Sequence, residues 1–359
     1  MVSIFTSRSS LEDFVMSESP WFQMICKLNR VFIDEDPYQD IDDDIDPEED
    51  VYQILDTMGV TVDTDHCDYI NNIPKDPSSV LKYPCGIFLL DISEAKAHKI
   101  QEDYGVICQS TNKLDFSPLV QPNYPNELEE NETGKSWKSM ISRFRELPSN
   151  SALIIDAHLF QQDRYDEGAG CYDANNSKGI TNLQEILDAI LPEYFCGIYH
   201  VGVLLTDYDI ANKNIAQKNL TNKRIANAIN KLKSRLDRPF DISIEVIFVD
   251  KNDNGAHTLI HNRRIISNYY IVTADYALAA IHNGRSLRSQ SITAYSLFEN
   301  IQIDSESDKK EKRMRSDLRK LKSLLEQQTR AIQPSLSFYQ NGQLKTDLLG
   351  INHRMLTFS

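Results

Sequence analysis

Long apolar runs are missing from this 359-residue chain. None approaches the roughly 18 to 20 residues that cross a bilayer, so no membrane-spanning helix is expected. The opening segment MVSIFTSRSSLEDF has no apolar stretch followed by small residues, so no secretory leader is expected and the chain reads as cytoplasmic. Cysteine is sparse. Cys26, Cys67, Cys85, Cys108, Cys171 and Cys196 include no CxxC pair, which argues against a zinc ribbon or a disulfide framework and for reduced, structural thiols. No metal or other cofactor is expected. With 13 glycines and 13 prolines the chain is neither collagen-like nor a low-complexity polymer. Basic residues are in deficit, 38 against 53 acidic ones, for a formal net charge of -15.

That deficit is local. Residues 1 to 130 carry about -19 and the rest about +4. Eleven of the seventeen residues from Asp34 to Asp50 are Asp or Glu and none is basic. Two readings stay open: a solvated loop held open by self-repulsion, or an arm that docks on a basic surface or mimics nucleic acid. Asp63, Asp65 and Asp68 beside His66 lack the glycine and terminal glutamate of a calcium loop, so an acidic loop is expected there.

The length and a 41% hydrophobic content fit two or three globular domains. In the first part, Leu11 to Val31 reads as helical and DVYQILDTMGV as a helix ending near Gly59. GIFLLD reads as a buried strand, followed by a helix capped by Ser93 and a second strand, YGVICQS. Three prolines with several Asn and Glu between Pro118 and Gly134 have the composition of a linker. After it, SALIIDAHLF, CGIYHVGVLL and DISIEVIFVD read as strands. Between them lie a helix capped at Thr181 or Asn182 and another from Thr221 to Leu236. That alternation predicts an α/β fold with a mainly parallel sheet. The expected layout is a smaller acidic αβ domain over 1–117, a linker over 118–134, an α/β domain over 135–305, and a helix and tail over 306–359. The helix from Lys309 to Arg330 carries nine basic residues, with Met314, Leu318, Leu321 and Leu325 as its apolar seam.

The chemistry-bearing stretch is HTLIHNRRIISNYYIVTADYALAAI, from His257. It spaces His261, Arg263 and Asn268 as His, one residue, a base, four residues and an amide. Here the chain resembles the phospholipase D-like fold, whose motif is His-x-Lys followed by four residues and Asp. The resemblance extends over roughly residues 150 to 300 through the order of elements. It also takes in degenerate members of that fold, which bind rather than cleave. It implies that His261 is the nucleophile toward phosphorus and Arg263 the phosphate clamp, since Arg is a bidentate phosphate donor. Asn268 stands where the Asp of the motif is expected, and an amide cannot stabilise an imidazolium as a carboxylate does. The downstream Gly-Ser-x-Asn is replaced by Asp275, Tyr276, Ala277 and Leu278. The family needs two motifs face to face and this chain has one, so activity implies a homodimer. His158, at a strand end, is the other histidine in a comparable position.

Arg263, Arg264, Arg285 and Arg288, with Tyr269, Tyr270 and Tyr276 near them in sequence, are the candidate nucleic-acid contacts. The expectation is a binding protein that recognises nucleic acid or a protein partner in a larger complex, of a kind that suits bacterial defence or a mobile element. The alternative is a metal-independent homodimeric nuclease using His261.

Overall fold

A computed structural model describes residues 2–35, 51–117, 119–120, 124–144, 146–160, 177–207, 215–250, 260–298, 314, 316, 318–320, 322–323, 336–345 and 353–357. Most of the acidic tract, Cys171, His257 and much of the basic helix lie outside the described residues.

The amino-terminal region is an open parallel sheet. Strands β1 (Ser3–Thr6), β2 (Arg30–Ile33), β3 (Thr61–Asp63), β4 (Gly86–Leu90) and β5 (Ile107–Ser110) run in the order β3-β2-β1-β4-β5. Helices α1 (Arg8–Met16), α2 (Pro20–Leu28) and α3 (Val51–Thr57) pack on one face, and α4 (Cys67–Asn72) and α5 (Glu94–Tyr104) on the other. Strands covered on both faces have no polar side, hence the unbroken GIFLL of β4. The pleat sends Ile4, Val31 and Ile87 toward α1–α3, while Phe5 stacks on Phe32 and Phe88 across the other face at 4.7 and 4.8 Å.

The helix expected over 11–31 is two helices and a strand. Ser19 caps α2 with Pro20 in its first turn, and Asn29 at φ 57° ends it in the left-handed conformation, so Arg30–Ile33 enter the sheet as β2. The caps, more than the apolar period, decide this segment.

The larger sheet adds β6 (Tyr124–Leu128), β7 (Ser151–Ile155), β8 (Ile198–Thr206), β9 (Asp241–Val249), β10 (Arg264–Ser267) and β11 (Tyr270–Ala274). A small hairpin, β12 (Ile281–His282) with β13 (Arg285–Ser286), stands apart. The sheet is completed by β14 (Gln290–Ser296), β15 (Leu336–Gln340) and β16 (Gln343–Lys345). Its order is β16-β15-β9-β8-β7-β10-β11-β14-β6. β7, β8 and β9 are parallel, and every other neighbouring pair is antiparallel. The mainly parallel sheet predicted for 135–305 is thus a mixed sheet with a parallel centre, and the wholly parallel sheet is the amino-terminal one. The cause lies in the connections. α7 (Lys178–Ile190) and α8 (Ile215–Lys231) supply the crossovers that parallel neighbours need, whereas β10 and β11 are separated by Asn268 and Tyr269 alone and can only reverse. α7 is capped by Ser177, whose hydroxyl accepts from Ile180 N–H, and not by Thr181 or Asn182.

The stretch 118–134 is not a bare linker, because it contributes edge strand β6 against β14. Pro125 is tolerated there since an edge strand has one row of unclaimed hydrogen-bonding positions, so the same prolines that read as linker also fit an edge. α6 (Trp137–Met140) then buries Trp137 completely. The tail assigned to 306–359 also belongs to the sheet, through β15 and β16. Met314 and Leu318 of the basic segment are buried, as its apolar seam predicts.

One apolar core runs from the α1–α3 side of the first sheet into the second. A buried polar seam accompanies it. Tyr269 Oη donates to Gly86 O at 2.7 Å and accepts from Ile107 N–H at 3.1 Å, while Asn150 Nδ2 donates to Pro84 O and Gly105 O at 2.9 and 3.0 Å. Gly105 sits at φ 59° with Ser149 carbonyl against it, where a side chain has no room. Among the described residues no helix is long and apolar enough to cross a membrane.

Candidate functional site

The register that pairs Arg264 with Ile155 sets the start of β10 beside the end of β7. Two short segments far apart in sequence therefore meet: Asp156 to His158 leaving β7, and His261 to Arg263 entering β10. The His158 and His261 rings lie 5.4 Å apart at 68°, an edge contact between two imidazoles of one chain. A dimer is not needed to bring two histidines together.

Asp156 is fully buried beneath them. Its carboxylate accepts the His158 N–H at 2.7 Å and the Leu278 N–H at 2.6 Å. Burial pushes this carboxyl up to about 6, against the opposing pull of those two N–H groups and of the Arg263 and Arg288 guanidiniums. Asp156 thereby ties the His158 turn to the loop that carries Tyr276.

Two arginines complete the cluster. Arg263 donates through Nη1 to the Asp275 carbonyl at 3.3 Å, while its buried Nε has no hydrogen-bond partner among the described residues. Arg288 lays its guanidinium over the Tyr276 ring at 4.9 Å, and its Nε is buried and unpartnered in the same way. The loop between them is fixed by Gln290, whose Oε1 accepts from Tyr276 and Ala277 N–H and whose Nε2 donates to the Ala277 carbonyl. A cleft of about 260 Å³ opens alongside, and its lining includes His261, Arg263, Arg264, Asp275, Tyr295 and Met314.

Asn268 and Arg285 fall elsewhere. Asn268 is at the far end of β10, roughly 13 Å from Arg264 by strand rise. It is completely buried. Its Oδ1 accepts from the N–H groups of Asn150 and Ser151 at 3.0 and 3.2 Å, and its Nδ2 donates to Pro84 O at 2.8 Å. It is a structural amide at the seam and does not touch His261. Arg264 is buried within β10, and Arg285 is exposed on the β12–β13 hairpin. Of the four arginines, Arg263 and Arg264 line the cleft with His261, and Arg288 reaches the Tyr276 ring. Tyr269 and Tyr270 are buried, which leaves Tyr276 as the exposed ring of the three.

The sequence carries a further signal for this edge, because the three parallel strands each run straight into aspartate, at Asp156, Asp207 and Asp250. The carboxyl edge of a parallel sheet is where open α/β folds place ligands. Asp207 is held by Asn222 Nδ2 at 2.7 Å, so the acidic side of the edge is built as firmly as the basic one.

Two other places in the molecule collect ionisable groups. A larger cleft of about 650 Å³ lies between α5 and the residues after α7, lined among the described residues by Glu102, Glu146 and Glu193 and by no basic side chain. In the first sheet, burial pushes the Asp63 carboxyl up, but Arg30, Asp65 N–H and His66 outweigh it and hold the group below the usual carboxylate range. Its oxygens are committed to those partners. Among the described residues no group of three or more His, Cys, Asp or Glu is arranged around a metal. No protein-family profile matches the chain, and no curated protein shows significant sequence similarity to it.

Proposed function

We propose that the chain binds nucleic acid through a degenerate phospholipase D-like domain, with phosphate held where Arg263, Arg288, His158 and His261 converge. The observation that carries this reading is the meeting of Arg263 and His261 on one cleft, with the His158 ring against His261 and with guanidinium Nε–H groups of Arg263 and Arg288 that lack a partner among the described residues. An unmet buried donor is costly, and an anionic oxygen arriving from a ligand satisfies it. Asp156 lies below the surface and fixes the His158 turn and the Leu278 loop through their N–H groups.

The test is binding of a labelled oligonucleotide across a salt series. Arg263→Ala is expected to weaken binding roughly 10- to 100-fold and to lower the salt slope by about one counterion, while Asn268→Ala in its folded fraction keeps the wild-type slope. Unchanged affinity for Arg263→Ala and for Arg288→Ala would sink the proposal.

The imidazole contact favours a second reading, hydrolysis. One histidine attacks phosphorus and expels the leaving oxygen, the other protonates that oxygen, and water then cleaves the phosphohistidine. Cleavage in the presence of chelator that is lost in both His158→Ala and His261→Ala would establish it. Intact substrate with retained binding leaves the site a binding site. Membership of a bacterial defence complex belongs to the same proposal, and co-purification from cells with the wild-type protein but not with Arg263→Ala is its readout.

A further inference from the structure

We infer that the ligand of this site is single-stranded nucleic acid, with Tyr276 as a platform on which an unpaired base stacks. The inference rests on the phosphate reading of Arg263 and Arg288 and adds the class of substrate. Tyr276 is 56% exposed although it adjoins the buried Ala277 and Leu278. One face of its ring is covered by the Arg288 guanidinium at 4.9 Å, which fixes the ring and directs a positive group toward the same cluster. Its backbone is held by Gln290, and the next residues by Gln290 and Asp156, so the ring stands on a rigid loop. Asp275, the residue before it, holds Arg263.

A phosphate clamp and an exposed, pre-oriented aromatic ring thus meet at one loop, Arg263 through the Asp275 carbonyl and Arg288 through the Tyr276 ring. In a duplex the faces of the bases are already stacked on one another, and only an unpaired base has a face to offer. The open ring face beside the clamp therefore selects single strands. Tyr269 and Tyr270, whose rings are buried, take no part.

The experiment is fluorescence anisotropy of the full chain with a labelled oligothymidylate and with a duplex of equal charge. Tyr276→Ala is expected to weaken oligothymidylate binding roughly 5- to 100-fold, the range measured for loss of one base–aromatic stack. Tyr276→Phe should restore it, duplex affinity should stay as it was, and the salt slope should not move, because no phosphate contact is lost. Equal losses on single strand and duplex, or Tyr276→Phe as weak as Tyr276→Ala, would overturn the platform. Arg263→Ala keeps the two layers apart. If it lowers affinity and slope while Tyr276→Ala changes neither ligand, stacking fails and the phosphate site stands; if Arg263→Ala is silent on both ligands, the phosphate site fails first. Circular dichroism melting of the Tyr276 variants checks folding, which an exposed side chain should leave intact.

Discussion

The two ends of β10, four residues long, show opposite uses of polar side chains. At the Arg264 end, His261 and Arg263 are partly or fully exposed and a guanidinium N–H is left unmet. At the Ser267 end, Asn268 is buried with its amide oxygen shared by two N–H groups and its nitrogen donating to Pro84 O, and Tyr269 bridges Gly86 and Ile107. A saturated polar network contributes to holding the fold. An unsaturated one at the surface is available to a ligand. The spacing that reads as one motif thus spans two jobs, and stability and binding should separate cleanly along the strand.

The largest expected effect is at the saturated end. Asn268→Ala strands the Asn150 and Ser151 N–H groups, while Pro84 O keeps Asn150 Nδ2 as a donor, and at roughly 1 to 3 kcal/mol for each unmet buried group the loss should be about 2 to 6 kcal/mol. Urea denaturation would show it. A midpoint close to wild type would mean that the seam is not what joins the two sheets.

Next comes Gly105→Ala, where a left-handed residue is pressed against the Ser149 backbone. Strain and overpacking together should cost about 2 to 4 kcal/mol, and limited proteolysis should then cut between the two sheets of the variant and leave the wild type uncut there. Equal proteolysis of the wild type would restore a separable boundary.

The buried carboxyl of Asp156 gives a pH test of similar size. Its folded pKa of about 6 lies above the unfolded aspartate value of roughly 3.9. An acid shifted in that direction stabilises the fold in its protonated form. The contribution is full below about pH 4 and is lost as pH rises through about 6, on the order of 3 kcal/mol in all. Asp156→Asn should flatten the fall in stability between pH 4 and 7, whatever its constant offset. A slope unchanged by the substitution would show that other groups set it.

At the unsaturated end, His261→Ala should change stability by less than about 0.5 kcal/mol, and Arg263→Ala by no more than about 1, even where binding collapses. Arg285→Ala, on an exposed hairpin away from the histidine pair, should alter neither stability nor binding by as much as a factor of two. A large binding loss from Arg285→Ala would extend the site onto that hairpin.

Much of the central scaffold was legible because burial on both faces leaves its mark on every residue of a strand. GIFLL is apolar at each position, and SALII and the runs of β8 and β9 are mostly apolar with few polar residues such as Ser151, His200 and Glu245, so all four are readable as strands. Residues 3–6 and 30–33 were not, since four-residue strands carry too little pattern and the second follows directly on an apolar helix. Pro118 to Gly134 misled because edge strands and linkers share a tolerance for proline. The site was half legible: His261 and Arg263 stood out by spacing, whereas the partnership of His158 with His261 and of Tyr276 with Arg288 depends on register and on a loop fixed by Gln290.

What the sequence determined by itself is what local physics writes into consecutive residues: the apolar strands, the capped helices, the charge split between the two regions and the basic turn before β10. Only the tertiary structure decided which residues of that turn act together. A strand displaces its two ends by roughly 13 Å while pairing brings residues a hundred positions apart into contact, so adjacency in the chain and adjacency in the site are set by different forces. The same spacing of histidine, arginine and asparagine therefore sent two residues to the surface cluster and the third into the seam that joins the sheets.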